Sequence, residues 1–314
     1  MLTPPERDDP LRVGGFPQGS GFGERWHPSY RMWSGRVPAR GSHSGVVEST
    51  GPRVTTRTDR PAPRHWTSST RGSVPYAVSV SSIDAAVLRL VADFVAARFP
   101  AAESVVLGGS SASGTTTPTS DLDLLLLGPE EMFAGDGSSL AATYEHEGRL
   151  VEVFAYTSAS YRVWAEREVA GHRPVILVML TEGVVLRGGA GIVQLRRWAA
   201  ETLAAGPTLD QHALDLRRYM VSALLDDLTD ATDPTEVAVL MAAMFEALAE
   251  FLLLAHGRWL GSGKWLVRRL HAWDADIARC LGEALVAGDR GALVDRAHSL
   301  LEPFGGPLQA GMVR

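Results

Sequence analysis

The hydrophobic pattern is most concentrated in two short apolar runs, 103–107 and 121–127, separated by a small polar loop. The first ends in Gly108-Gly109-Ser110 and the second opens with Asp121-Leu122-Asp123. Runs of this length, bounded by glycine and polar turn residues, predict strands. Alternate side chains of a strand share a face, so Asp121 and Asp123 stand side by side while Leu122 and Leu124 turn into the core. Two further runs, 140–146 and 149–156, flank Glu147-Gly148 and predict a hairpin. In its second arm Val151, Val153 and Ala155 fall on one face and Glu152 on the other. Ahead of the strands, Val87, Leu88, Val91, Phe94 and Val95 form a stripe at helical spacing. That helix starts among Ser81-Ser82-Ile83-Asp84, where polar caps precede the stripe, and closes at Pro100. Segments 158–170 and 192–205 predict helices, the second stopped by Gly206-Pro207. Between them, 175–186 reads as a short helix followed by a strand at 184–186.

Beyond Pro207 the period is wholly helical, over 209–228, 234–256, 264–270, 274–287 and 291–301. Asp233-Pro234 is an N-terminal signal, since proline is tolerated in the first turn. Gly257, Gly261 and Gly263 separate the second of these helices from the third. The pattern predicts an α+β fold: a mixed sheet with flanking helices at 76–205, then an all-helical bundle domain at 206–314. Residues 1–75 are rich in Gly, Pro, Ser, Thr and Arg, have neither period, and predict a disordered tail.

Composition changes this picture in four places. The net charge of −6 divides unevenly, because residues 1–75 hold 11 Arg against 6 acids and the remainder is therefore −11. An acidic body is a poor match for a nucleic-acid backbone, so no nucleic-acid partner is expected. Cys280 is the one cysteine, which excludes an intrachain disulfide and a cysteine-based metal centre. No run approaches the roughly 18 apolar residues of a membrane span, no apolar leader is seen, and a cytoplasmic protein without membrane partners is expected. Finally, of 30 basic residues only Lys264 is lysine.

The chemistry lies in the opening pattern. Two carboxylates on one strand face repel unless a cation sits between them, and a hard divalent ion such as magnesium suits oxygen donors. Glycines at 108 and 109 let backbone N–H groups approach phosphate oxygens, and the Ser110 hydroxyl adds a donor. Glu152 is alone in an otherwise apolar run, and it supplies a third carboxylate if its strand pairs with the Asp-x-Asp strand. Three acids can hold two metal ions, one on a triphosphate and one lowering the pKa of an attacking hydroxyl.

Gly-Ser, then Asp-x-Asp on a strand, then a lone acid on a later strand resembles the DNA polymerase beta-like nucleotidyltransferase superfamily over about residues 83–157. The helical second half resembles, in length and pattern, the bacterial small-molecule branch that includes aminoglycoside and lincosamide nucleotidyltransferases. The resemblance implies transfer of a nucleoside monophosphate from an NTP, with ATP expected, to a hydroxyl of a small molecule. It also implies two Mg2+ ions and release of pyrophosphate. By position, Gly109 and Ser110 match the phosphate turn, with Gly108 beside them; Asp121 and Asp123 match the metal pair; Glu152 matches the third acid. Many relatives carry Arg near position 113, where this chain has Ser113.

Lys264, next to Arg268 and Arg269 in sequence, is the candidate to supply that missing cation to the triphosphate. Gly261-Ser262-Gly263-Lys264 is not a P-loop, because Trp265 stands where Ser or Thr is required and no strand precedes it. Glu246, Glu250, Asp226 and Asp227 are the helical-half acids available as a general base, with Glu246 placed first. Trp164, Trp198, Trp259, Trp265 and Trp273 read as core or interdomain packing, or as the wall of an acceptor pocket. Alternatives to the small-molecule enzyme are an antitoxin-like protein nucleotidylation activity and a non-catalytic nucleotide-binding module. A homodimer that completes the site stays open.

Overall fold

The computed structural model describes residues 83–109, 111, 121–189 and 191–313. Ser110, Ser113 and the 1–75 tail lie outside the described residues.

Helix α1 (Ala85–Arg98) starts where Asp84 accepts a 2.8 Å bond from Ala86 N. Strands β1 (Ser104–Leu107), β2 (Leu122–Leu127), β3 (Ser139–His146), β4 (Arg149–Tyr156) and β5 (Val184–Arg187) form one sheet in the order β3-β4-β2-β1-β5. Only β2 and β4 run parallel; the other neighbours are antiparallel. The β3–β4 hairpin turns on Glu147 (φ 49°) and Gly148 (φ 74°), the two positive dihedrals of a tight two-residue turn.

The period-2 pattern sorts the sheet onto two cores. Val105, Leu107, Leu122, Leu124, Leu126, Val151, Val153 and Ala155 pack with Leu90, Val91, Phe94 and Val95 of α1. The opposite face, with Leu125, Leu127, Phe154 and Tyr156, is covered by α2 (Ser158–Ala170), α3 (Val175–Glu182) and α4 (Ile192–Ala205). Tyr161 is fully buried there and donates to Ile176 O at 3.0 Å, which fixes α2 against α3.

The helical half comprises α5 (Gln211–Asp230), α6 (Pro234–Ala255), α7 (Lys264–Trp273), α8 (Ala275–Ala287) and α9 (Arg290–Leu301). Several starts fall a residue or two from the periodicity because an aspartate caps each helix: Asp210 accepts from Ala213 N, Asp274 from Ile277 N and Asp289 from Ala292 N. These helices share their own apolar cluster, centred on α6. Here one expectation is corrected. Helix α6 has 22 residues and is apolar enough by length and composition to cross a bilayer. Nine of its side chains are buried, and they form the centre of the helical cluster, as in the core helix of a bundle.

Hydrogen bonds join the halves among the described residues. Glu250 of α6 accepts from Arg173, in the turn before α3, and from Arg217 of α5 at 3.1 Å. The segment between α6 and α7 hydrogen-bonds back to the ends of α2 and α4.

Candidate active site

Strand register assembles the acids. In the parallel β2–β4 pair, Asp123 lies directly opposite Glu152, and the two carboxyl groups share a hydrogen bond. Asp121 sits just before β2, close enough to raise the energy of a charge on Asp123. The core-facing neighbours, Leu122 and Leu124, are fully buried as expected. Glu152 is thus the partner of Asp123 across two strands, which the sequence pattern left conditional on strand pairing.

The glycine turn is fitted to these acids. Gly108 N–H donates to Asp123 O at 2.8 Å, continuing the β1–β2 ladder past its last pair. Gly109 has φ 61°, and a Cβ there would lie 1.7 Å from Asp123 Oδ2. Both the backbone conformation and the space require glycine. Behind the turn, Met179 of α3 approaches Gly108, where a Cβ would lie 3.0 Å from Cε.

Asp123 holds its proton up to about pH 7. Burial is the largest cause, followed by the charge and hydrogen bond of Glu152 and then the charge of Asp121; Lys264 opposes them. The Lys264 charge thus acts on Asp123 although its helix belongs to the other half of the chain. In the protein alone, a shared proton offsets part of the repulsion that a cation would otherwise offset.

The donor set fits a hard divalent ion in kind: all oxygens, with two carboxyls in register. Among the described residues, however, no three His, Cys, Asp or Glu groups are gathered as a metal cage. Magnesium is usually held by one or two carboxylates together with substrate phosphates rather than by an all-protein cage, so the two observations agree.

The other expected site residues divide. Lys264 opens α7 and is exposed. Glu246 is exposed on α6, while Glu250 is only 13% exposed and is occupied by two arginines, which removes it as a free base. Asp226 accepts from Gln309, and Asp227 is exposed near the end of α5. Trp259 is buried as packing predicts, but Trp265 is 41% exposed with the Arg268 guanidinium 4.6 Å from its ring centre. Sequence reasoning missed Glu182, at the end of α3, and Arg269 of α7, whose opposite charges attract across the two halves. It also missed Glu168, which accepts from Ile176 N at 2.9 Å at the start of α3. Burial raises the Glu168 carboxyl to about 8. Neither pair shows in periodicity, because each partner comes from a different element.

The mixed sheet carries the acid pair and the glycine turn at one edge of its parallel pair. Residues 88–167 match the family model of the nucleotidyltransferase domain, a stretch that contains the turn and all three acids. The chain carries a nucleotidyltransferase domain and is a transferase. Among solved structures, a nucleotidyltransferase-like protein from Exiguobacterium sibiricum 255-15 is similar at 11% identity and a TM-score of 0.36, over 69% of this chain and 74% of that one. No curated protein matches the chain.

Proposed function

We propose that this transferase moves a nucleoside monophosphate from an NTP, ATP in the first instance, to a hydroxyl of a small molecule. The observation that carries the reading is Asp123 set in register with Glu152 against a glycine whose absent side chain leaves room for the carboxylate. The acceptor oxygen forms a bond to the α-phosphorus, the bond to the pyrophosphate oxygen breaks, and the hydroxyl proton leaves to a base or solvent. With the Gly108 N–H engaged by Asp123 O, the Gly109 N–H and the Ser110 hydroxyl bind phosphate oxygens, and Lys264 adds positive charge from the helical half. Mg2+ held by Asp121, Asp123 and Glu152 would neutralise the triphosphate and lower the pKa of the attacking hydroxyl. With Glu250 engaged by Arg173 and Arg217, Glu246 stays first among the candidate bases. The acidic body suits a cationic acceptor such as an aminoglycoside.

The test is incubation of the purified protein with Mg2+, each labelled NTP and a panel of hydroxylated acceptors. Expected are pyrophosphate and a nucleotidylated acceptor, both abolished in Asp123→Ala. Pyrophosphate with label on a protein instead of a small molecule would move the acceptor to the antitoxin-like alternative. No pyrophosphate with any NTP, and NTP binding indifferent to Mg2+ and to Asp123→Ala, would leave a non-catalytic binding module.

A further inference from the structure

The segment between α6 and α7 is tied down at each step. Helix α6 closes with Gly257 in the left-handed region (φ 63°), where Arg258 N–H donates to Leu253 O at 2.8 Å and Gly257 N–H to Leu254 O at 3.0 Å. The next two residues reach the sheet half. Trp259 Nε1–H donates to Leu203 O at 2.8 Å, a carbonyl in the last turn of α4 that also accepts from the Gly206 N–H at 3.2 Å. Leu260 N–H donates to His172 O at 2.9 Å, just past the end of α2. Both side chains are buried. Gly261 then turns so tightly that a Cβ would lie 2.6 Å from the Trp265 carbonyl carbon, and Gly263 leads into Lys264. A few residues with little freedom therefore connect an indole hydrogen bond on the sheet half to the only lysine in the chain.

We infer that Trp259 is a positioning residue: its hydrogen bond to Leu203 docks the 257–263 segment on the sheet half and so fixes where Lys264 stands at the start of α7. The inference rests on the proposed role of Lys264 at the triphosphate. Trp259→Phe keeps an aromatic ring in the buried site and removes the donor together with the pyrrole part of the indole. Arg269, further along α7, is attracted to Glu182, and both belong to elements that border the glycine turn or carry Lys264. They form a second tie between the same two parts.

A chain with one lysine permits a direct test. Limiting acetylation by an amine-reactive ester labels Lys264 and the α-amino group, and peptide mass spectrometry reports each rate. Expected is a Lys264 labelling rate in Trp259→Phe about fivefold away from wild type without nucleotide, with the α-amino rate unchanged, a change of the size that loss of one hydrogen bond produces. Equal Lys264 rates overturn the inference. In wild type, Mg-ATP is expected to protect Lys264. A rate change in the variant with no protection in wild type keeps the docking and overturns the nucleotide role of Lys264. In steady state, Trp259→Phe and Lys264→Met are each expected to raise the KM for the NTP, and the double variant to be no worse than Lys264→Met alone. Additive effects would mark Trp259 as merely structural. Should Trp259→Phe not fold, slow exchange of the Trp259 indole proton in the wild-type protein supports the docking, and exchange at the rate of free indole overturns it.

Discussion

Gly109→Ala puts a methyl group where Asp123 already stands. The added carbon would lie 1.7 Å from Oδ2, 2.7 Å from Cγ and 3.3 Å from Cβ, on a backbone with φ 61°. Alanine in that conformation costs about 1 kcal/mol before any contact is counted. A 1.7 Å approach cannot be absorbed, so the Asp123 side chain must rotate away and give up its hydrogen bond to Glu152. A bond to a charged group is worth about 1.5–3 kcal/mol, part of which returns as the displaced carboxylate regains water. The net loss is about 2 kcal/mol, or a fall in Tm of roughly 4–8 °C for a folded region of this size. Turnover should fall further, by about 100-fold or more, because an ångström-scale displacement of a catalytic group has that effect. Gly108→Ala is the matched control. Its Cβ meets only the flexible end of Met179 at 3.0 Å, and its N–H remains bonded to Asp123 O. Thermal melts and pyrophosphate release, measured on both variants, decide the matter. Wild-type turnover in Gly109→Ala, or an equal loss in Gly108→Ala, would refute the claim that this glycine exists to admit Asp123.

Four other outcomes follow, two from carboxyls that burial holds protonated and two from acids of α6. Burial raises Glu168 to about 8 in the folded protein, so its contribution to stability is full below its unfolded value of 4.5 and is lost as pH rises through 8. Glu168→Gln, which keeps an acceptor for Ile176 N–H, should match wild type near pH 4 and exceed it by up to a few kcal/mol at pH 9 in urea unfolding; parallel pH curves would sink this. Asp123, raised to about 7, loses its contribution across the window from 3.8 to 7, so Asp123→Asn should be more stable than wild type at pH 8 while inactive. A variant less stable than wild type at pH 8 would show that the ionised carboxylate is favourably held after all. Glu250→Ala leaves Arg173 and Arg217 facing each other with 30% and 22% of their side chains exposed, and should cost about 2 kcal/mol, discounted from a fully buried pair. Glu246→Ala, on the exposed side of the same helix, should stay within about 0.5 kcal/mol in the same melt, and a loss of turnover with stability intact would mark it as the base.

The sheet and its acids were readable because they depend on local pattern. Period-2 alternation put Leu122 and Leu124 on one face and Asp123 on the other, and Glu147-Gly148 marked the hairpin that brings Glu152 alongside. What no local pattern carried was strand order. Only the parallel β2–β4 pairing turns an isolated acid at 152 into the partner of Asp123, and sequence-adjacent strands supply no rule for it. Helix ends were displaced for a related reason: Asp210, Asp274 and Asp289 each accept backbone N–H bonds and set where their helices start. Part of the acidic excess of the body is therefore used in capping.

The helical half was harder to read because its residues act through partners far away in the chain. Glu246 and Glu250 are equivalent by spacing, but two arginines from different segments engage the second and leave the first in solvent. The same holds for charge at the site. Asp123 and Glu152 face each other in a partly buried position where a second ionisation is costly. Lys264 opposes that cost at Asp123 from the end of a segment tied to the sheet half by Trp259 and Leu260. A lysine on a loosely attached helix would add little, since an exposed charge is screened within about 10 Å at ordinary salt. Its effect on Asp123 therefore depends on the docking of that segment, and the two halves of the chain are coupled through the site rather than only through their packing.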